Sequence, residues 1–279
     1  MKRIPLIAYL DSSFPRIPKK ELYSRVLCGE VFVDGERVRD PKRLVKGLEE
    51  LSFDSSPYVS RGGFKLEHAL ELWRVDTEGK VFLDAGASSG GFTDCLLQHG
   101  AAMVHAVDVG YNQLDYSLRR NGRVRVMERT NIMELSPGDM EPQPDAAVAD
   151  LSFRSLRRAA AHIISLTKER WLIALMKPQF EYGASASGGS KAASAGSEEG
   201  GAAALREFSG VLEGPDTTIE VLLSSIEDIG REGLRLSAIT PSPISGRRGN
   251  REFLLLFGEN APFEADPGRR RLEEMVKEA

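Results

Sequence analysis

The chain has 279 residues, 41% of them hydrophobic and 28% charged, with a formal net charge of −4. That length accommodates one large domain and a smaller one, and the composition is that of an ordinary globular protein, not a disordered or disulfide-stapled one. No overall basic excess announces a nucleic-acid binder, so any such contact has to come from a local patch, and no stretch approaches the roughly 18 apolar residues of a membrane span.

The start, MKRIPLIAYLDSSF, has an apolar run too short for a signal peptide and no small-residue cleavage site. The two cysteines, Cys28 and Cys95, lie far apart without metal-ligand spacing. Both read as small buried apolar residues in a reducing, cytoplasmic setting, and no metal site is expected. After an irregular, proline-containing start, residues 19–27 read as a short amphipathic helix that Gly29 stops. Residues 31–38 follow as a tight hairpin, with Asp34-Gly35 as a primed turn between alternating strands. The stretch LCGEVFVDGERVRDPKRLV resembles the small RNA-binding module of ribosomal small-subunit protein four, the alpha-L motif. This implies a small α+β RNA-binding domain over residues 1–57, with Arg16, Lys19, Lys20, Arg25, Arg37, Arg39, Lys42 and Arg43 lining a basic face against phosphates. Glu21, Glu30, Asp34, Glu36 and Asp40 are interspersed, which leaves open a solvated surface on a small docking domain.

Residues 58–70, YVSRGGFKLEHAL, read as the entry to a helix, with Ser60 as N-cap and Phe64, Leu66 and Leu70 on the apolar side. Lys65 falls off that stripe and by itself reads as a solvated lysine. His68 reads as a packed or surface histidine. Apolar runs at 81–84, 104–108, 124–127, 146–150 and 171–177 then alternate with helical stretches at 92–99, 114–120 and 156–167. That rhythm predicts a doubly wound parallel sheet with helices on both faces. Ligands of such sheets gather at the carboxyl ends of the strands, where Asp84, Asp108, Asp150 and Lys177 all fall.

The most informative stretch is VFLDAGASSGGFTDCLL, residues 81–97, a short strand feeding a helix through a glycine-rich turn. It is not a dinucleotide fingerprint, because the middle glycine of G-x-G-x-x-G falls on Ser88. The pattern is D-x-G-x-S-x-G, headed by an acid that would repel a pyrophosphate but can pair with a cationic amino group. S-adenosylmethionine has an ammonium, a sulfonium and no phosphate. Asp108 ends the next strand 24 residues after Asp84, about where a carboxylate accepts both hydroxyls of an adenosine ribose. Asp84, Gly86, Ser88 and Gly90 are therefore expected around the methionine half of the donor. Asp108 is expected on its ribose, Val109 against its adenine and Asn131 at the adenine edge. Tyr111 either stacks nearby or is an exposed loop tyrosine.

Residues 183–204 are Gly/Ala/Ser-rich and read as a flexible insertion. A helix near 219–229 and strands at 234–239 and 253–257 complete the large domain, 58–260, and 261–279 read as a charged tail, either irregular or a short helix. The motifs YVSRGGFKLEHAL, LDAGASSGGFTDCLLQHGA, AVDVGYNQL, ERTNI, DLSF, LMKPQFE and SPISGRRGNREFLLLF, in that order, resemble the TlyA family. That family is known both as haemolysin A and as ribosomal RNA ribose methyltransferases, and it belongs with the FtsJ-like ribose methyltransferases. The resemblance implies a class I S-adenosylmethionine-dependent methyltransferase, a Rossmann-like doubly wound sheet whose last strand is antiparallel. It implies a Lys-Asp-Lys-Glu catalytic tetrad at Lys65, Asp150, Lys177 and Glu252, acting on the 2′-hydroxyl of ribosomal RNA, free or in ribosomal subunits. A cytolysin, as the older name suggests, and an RNA-binding scaffold without catalysis are the competing readings. The first would need a membrane-active segment that the sequence lacks, and the second leaves both halves of the site without a use.

Overall fold

The computed structural model describes residues 3–53, 57–152, 155–185, 214–246, 249–259 and 268–278. By its contacts the chain divides into two compact units, Met1–Pro57 with Asp115–Arg120, and Tyr58–Leu114 with Asn121–Ala279.

The smaller unit contains β1 (Ile4–Pro5), α1 (Leu6–Ser13), α2 (Lys19–Cys28), β2 (Val31–Val33), β3 (Glu36–Val38), β4 (Leu44–Val45) and β5 (Leu51–Phe53). The expected hairpin is present: Val33 pairs with Glu36, and Asp34 and Gly35 both have positive φ, at 52° and 77°. Two consecutive positive-φ residues are what a type I′ turn needs, and its twist matches that of the flanking strands. Gly29 ends α2 in the left-handed region.

The expected irregular start is instead β1 and α1. Pro5 precedes the helix without a side-chain cap, and the backbone N–H groups of Leu6 and Ile7 donate to the carbonyls of Arg43 and Pro41. Leu6 and Leu10, one helical turn apart, are fully buried with Leu22, Val26, Val31 and Val38. The helix is therefore held by burial and by carbonyls from distant sequence.

The larger unit is built on seven strands: β6 (Val81–Ala85), β7 (Met103–Asp108), β8 (Val124–Glu128), β9 (Ala146–Ala149), β10 (Trp171–Met176), β11 (Arg235–Pro241) and β12 (Phe253–Gly258). Their order is β11-β12-β10-β9-β6-β7-β8. The pairs β6/β7, β7/β8, β6/β9 and β9/β10 are parallel, and β12 runs antiparallel to both β10 and β11. The last strand is thus the antiparallel one, as expected. Strands β9, β10 and β12 are buried along their whole length, the mark of sheet interiors covered on both faces.

The helices of this part are α3 (Gly62–Trp73), α4 (Gly91–Gln98), α6 (Ala160–Ser165), α7 (Pro178–Ser185), α8 (Pro215–Arg231) and α9 (Gly268–Glu278), with the single turn α5 (Tyr116–Arg119) grouped with the smaller unit. The helix expected over 114–120 shrinks to that turn. The one expected over 156–167 splits into a 3-10 turn, Leu156–Arg158, and α6.

The charged tail holds a short helix, α9, whose Leu272 and Val276 are buried in the main core with Phe253, Phe257 and Ile229. Apolar residues at 272, 275 and 276 give it one buried stripe among charges. Cys95 is buried and free, while the Cys28 side chain lies outside the described residues. So does most of the Gly/Ala/Ser insertion, of which only 183–185 fall in α7.

Candidate active site

The strand order reverses between β7 and β9, on either side of β6, so the ligand crevice of this sheet opens at the carboxyl ends of β6 and β9. The turn after β6 is made from positive-φ positions: Gly86 at 86°, Ser88 at 48° and Gly90 at 94°. The N–H groups of Gly86 and Ala87 donate to the Val107 carbonyl, which ties the turn to β7. A Cβ on Gly86 would stand 2.7 Å from the Asp150 carbonyl oxygen, so only glycine fits between the turn and the end of β9.

Asp84, near the carboxyl end of β6, is fully buried. Its Oδ2 accepts the Thr93 hydroxyl at 2.6 Å, and its Oδ1 has no hydrogen-bond partner among the described residues. Burial pushes its pKa up to about 7, against the lowering effect of Thr93, with the Asp150 charge adding to the rise. An orphaned, buried carboxylate oxygen lacks the donor that would repay its desolvation. A ligand ammonium supplies that donor, so the residues fit S-adenosylmethionine at this turn.

Asp108 is engaged more than the sequence suggests. Its Oδ2 accepts the Ser88 N–H at 2.8 Å and its Oδ1 the Gly110 N–H at 2.6 Å. It staples the glycine turn to the loop after β7, and each oxygen keeps a further lone pair for a ligand hydroxyl. Val109 is 72% exposed, an apolar surface with nothing of the protein over it. Asn131 caps the 3-10 turn Ile132–Glu134: its Oδ1 accepts the Met133 N–H at 3.2 Å and its Nδ2 donates to Glu134 at 3.0 Å. Tyr111 is also exposed, with the Arg129 guanidinium 4.0 Å from its ring centroid.

The four polar residues of the expected tetrad form two ion pairs. Lys177, one residue past β10, has its Nζ 2.5 Å from Asp150 Oδ1 and donates to Ser152 Oγ at 3.1 Å. Lys65 on α3 pairs with Glu252, and both are nearly buried. Met176 pairs with Phe253 across β10 and β12, and Lys177 and Glu252 are the next residues beyond that last pair of the ladder.

Lys65 is not the solvated lysine that its position off the apolar stripe suggests. Helix α3 is drawn onto α4 by glycines. A Cβ on Gly91 would meet the backbone of Gly62 and Gly63 at about 3 Å, as well as Ser60 Oγ. Ser60 accordingly faces Gly91 and is not the N-cap; Arg61 holds that position without a side-chain bond. Glu252 is enclosed by the preceding loop, because a Cβ on Gly246 would clash with its carboxylate. His68 is a packed residue bonded to Thr240 at 3.2 Å. Thr93 and Ser152, which bond Asp84 and Lys177, carry no signal of their own in the sequence but lie inside the motifs GGFTD and DLSF.

On the smaller unit, Lys19 pairs with Asp11 at 3.3 Å, Arg25 with Glu21 at 2.8 Å and Arg43 with Glu36 at 2.7 Å. Arg25 and Arg37 also stand over the rings of Phe53 and Phe32. Lys20 Nζ is 5.4 Å from the Tyr116 ring centroid. Arg16, Arg39 and Lys42 are exposed, and the Arg39 side chain lies along Gly29.

Strand order, glycine turn and orphaned acid together define a class I S-adenosylmethionine-dependent methyltransferase. The FtsJ-like methyltransferase family model matches residues 58–259. A Mycobacterium tuberculosis protein named 16S/23S rRNA (cytidine-2′-O)-methyltransferase TlyA is 36% identical over 82% of this chain and 80% of its own. Hemolysin A of Brachyspira hyodysenteriae is 35% identical over 83% and 90%. A solved Streptococcus thermophilus structure, provisionally named a hemolysin, matches at 31% identity with a TM-score of 0.68, covering 100% of this chain and 96% of that one. The chain belongs to the FtsJ-like methyltransferase family, within the group that includes TlyA and hemolysin A.

Proposed function

We propose that this enzyme methylates a ribose 2′-hydroxyl of ribosomal RNA, with Lys177 as the central catalytic residue and Lys65, Asp150 and Glu252 completing the site. The rRNA 2′-O-methyltransferase activity for which the TlyA relatives are named supports the substrate. The observation that carries the chemistry is Lys177 Nζ, held 2.5 Å from Asp150 and 3.1 Å from Ser152 at the edge that also bears the donor turn.

A ribose hydroxyl is a weak nucleophile at neutral pH, so positioning and charge stabilisation are what a protein can add. When bound, S-adenosylmethionine supplies an electrophilic methyl on a sulfonium. Asp84, Gly86, Ser88 and Gly90 would hold its methionine half, and Asp108, Val109 and Asn131 its adenosine. Lys177 donates to the attacking hydroxyl oxygen and stabilises the negative charge that develops there. Asp150 fixes Lys177 and, about a quarter exposed, gives the hydroxyl proton a route to water. The Lys65–Glu252 pair flanks the ribose and keeps the quartet neutral.

Residues 1–57 form the unit proposed to grip the RNA, and ribosomal subunits in the cytoplasm are the proposed substrate. Among the described residues no helix is long and apolar enough to cross a membrane.

The test is methyl transfer from labelled S-adenosylmethionine to ribosomal subunits lacking the modification, for wild type and Lys177→Ala. Ribose label with wild type alone, and donor binding in both, is the expected result. Folded wild type that binds donor but labels no ribosomal RNA would overturn the reading.

A further inference from the structure

A few residues along the chain from both Lys177 and Asp150, a buried network joins α7 to Ser155, Leu156 and Arg157 that the reaction as described does not use. Glu181 sits four residues past Lys177, in the first turns of α7, and is 2% exposed. Its Oε2 accepts the Ser155 hydroxyl at 2.5 Å, and its Oε1 accepts the Leu156 N–H at 2.6 Å. Arg157 Nε is 3.4 Å from the same carboxylate. Arg157, also buried, donates to Ser225 and Ser224 of α8 at 3.1 Å each and pairs with Asp228.

Ser155 and Leu156 follow Asp150 by only five and six residues. One carboxylate therefore fastens the segment leaving Asp150 and Ser152 to the helix turn that begins beside Lys177. Burial raises the Glu181 pKa, and the bonds from Ser155, Leu156 and Arg157 oppose that rise. Apolar side chains would join α7 to β9 without that desolvation. A carboxylate holding two named donors adds register, on the scale that a catalytic contact requires.

We propose that Glu181 is a positioning residue for methyl transfer, setting the Lys177–Asp150 contact by tying Ser155 and Leu156, a few residues past Asp150, to the first turn of α7. The proposal rests on the roles assigned to Lys177 and Asp150 above. Nothing in it touches the donor turn, so the consequence is specific: turnover falls while donor binding stays.

Glu181→Gln keeps the shape but removes the negative charge beside Arg157 and puts an N–H where one of the two acceptor oxygens stood. We expect its kcat to fall at least tenfold, with the donor Kd and donor KM within twofold of wild type. Glu181→Asp, which keeps the charge, recovers part of the loss. Ser155→Ala, which removes one donor, shows a smaller loss in the same parameter and serves for every measurement if Glu181→Gln does not fold. A crystal structure of the variant is expected to show Lys177 Nζ withdrawn from Asp150.

A folded variant with wild-type kcat overturns the proposal. So does a loss shared equally by kcat and donor affinity, as a general loosening would give. If wild type itself fails to methylate ribosomal RNA, the functional reading falls, and the crystal structure still decides this point: an unchanged Lys177–Asp150 contact overturns it.

Discussion

Gly86 and Asp150 touch backbone to backbone: a Cβ on the first would stand 2.7 Å from the carbonyl oxygen of the second. The donor turn and the acid-bearing strand end are thus one surface, and a change at either is felt at both. Gly86→Ala adds left-handed strain of about 1–2 kcal/mol to that clash, since φ is 86°. Donor affinity is expected to drop about tenfold or more, read by calorimetric titration with S-adenosylmethionine. Gly79→Ala is the control. Its φ is 68°, yet nothing lies within 4 Å of its added Cβ, so it lowers stability slightly and leaves donor binding alone. Unchanged affinity in Gly86→Ala would remove the turn from the donor site.

Asp84 makes both stability and donor binding depend on pH, in opposite senses. Its carboxyl titrates near 3.8 when exposed and near 7 in the fold. Between those values the folded protein holds a proton that the unfolded chain has released. Ligand-free stability therefore falls as pH rises from about 4 to 7 and this contribution is flat above. A donor ammonium pairs with the ionised form, so donor affinity rises over the same window and binding releases protons near pH 6. Asp84→Asn is expected to flatten both profiles, measured by denaturant unfolding and by titration in buffers of different ionisation enthalpy. Profiles as steep as wild type would show that another group titrates.

The buried Lys65–Glu252 pair separates cost from benefit. Lys65→Met or Glu252→Leu alone leaves one charge buried without its partner and is expected to destabilise by about 3–5 kcal/mol. Lys65→Met with Glu252→Leu removes both charges and is expected to cost far less than the two single changes together. Equilibrium unfolding of the four proteins checks this, and additive losses would mean that the pair is not coupled. Methyl transfer is expected to be lost in all three variants, stable or not, which assigns the pair to chemistry and not to folding.

What was legible in the sequence follows from how local its cause is. Strands β9, β10 and β12 read clearly because burial on both faces leaves unbroken apolar runs. The Asp34-Gly35 turn read clearly because its residues carry the positive φ that the hairpin requires. Helix α1 did not, because the acceptors for its first N–H groups are carbonyls more than thirty residues on. The burial of Lys65 did not, because its partner is 187 residues away. The capping bonds of Asn131 are likewise invisible in its place after the third strand: its amide caps the next turn and keeps one N–H and one lone pair for a ligand edge. Motif order located the site, whereas long-range pairing decided which of its side chains face one another.

The basic residues of the smaller unit are not equivalent, and salt dependence should sort them. Arg25 and Arg43 are already neutralised by Glu21 and Glu36, so their charge is partly spent before RNA arrives. Lys20 and Arg39 have no acidic partner among the described residues. If this unit grips RNA through phosphates, each of Lys20→Ala and Arg39→Ala lowers the slope of log affinity against log salt by about 1. Arg25→Ala and Arg43→Ala change it less, because each also frees an acid. Filter binding of ribosomal RNA fragments across a salt series measures all four. Slopes unchanged in Lys20→Ala and Arg39→Ala would leave the unit as a docking surface and move RNA recognition to the methyltransferase domain.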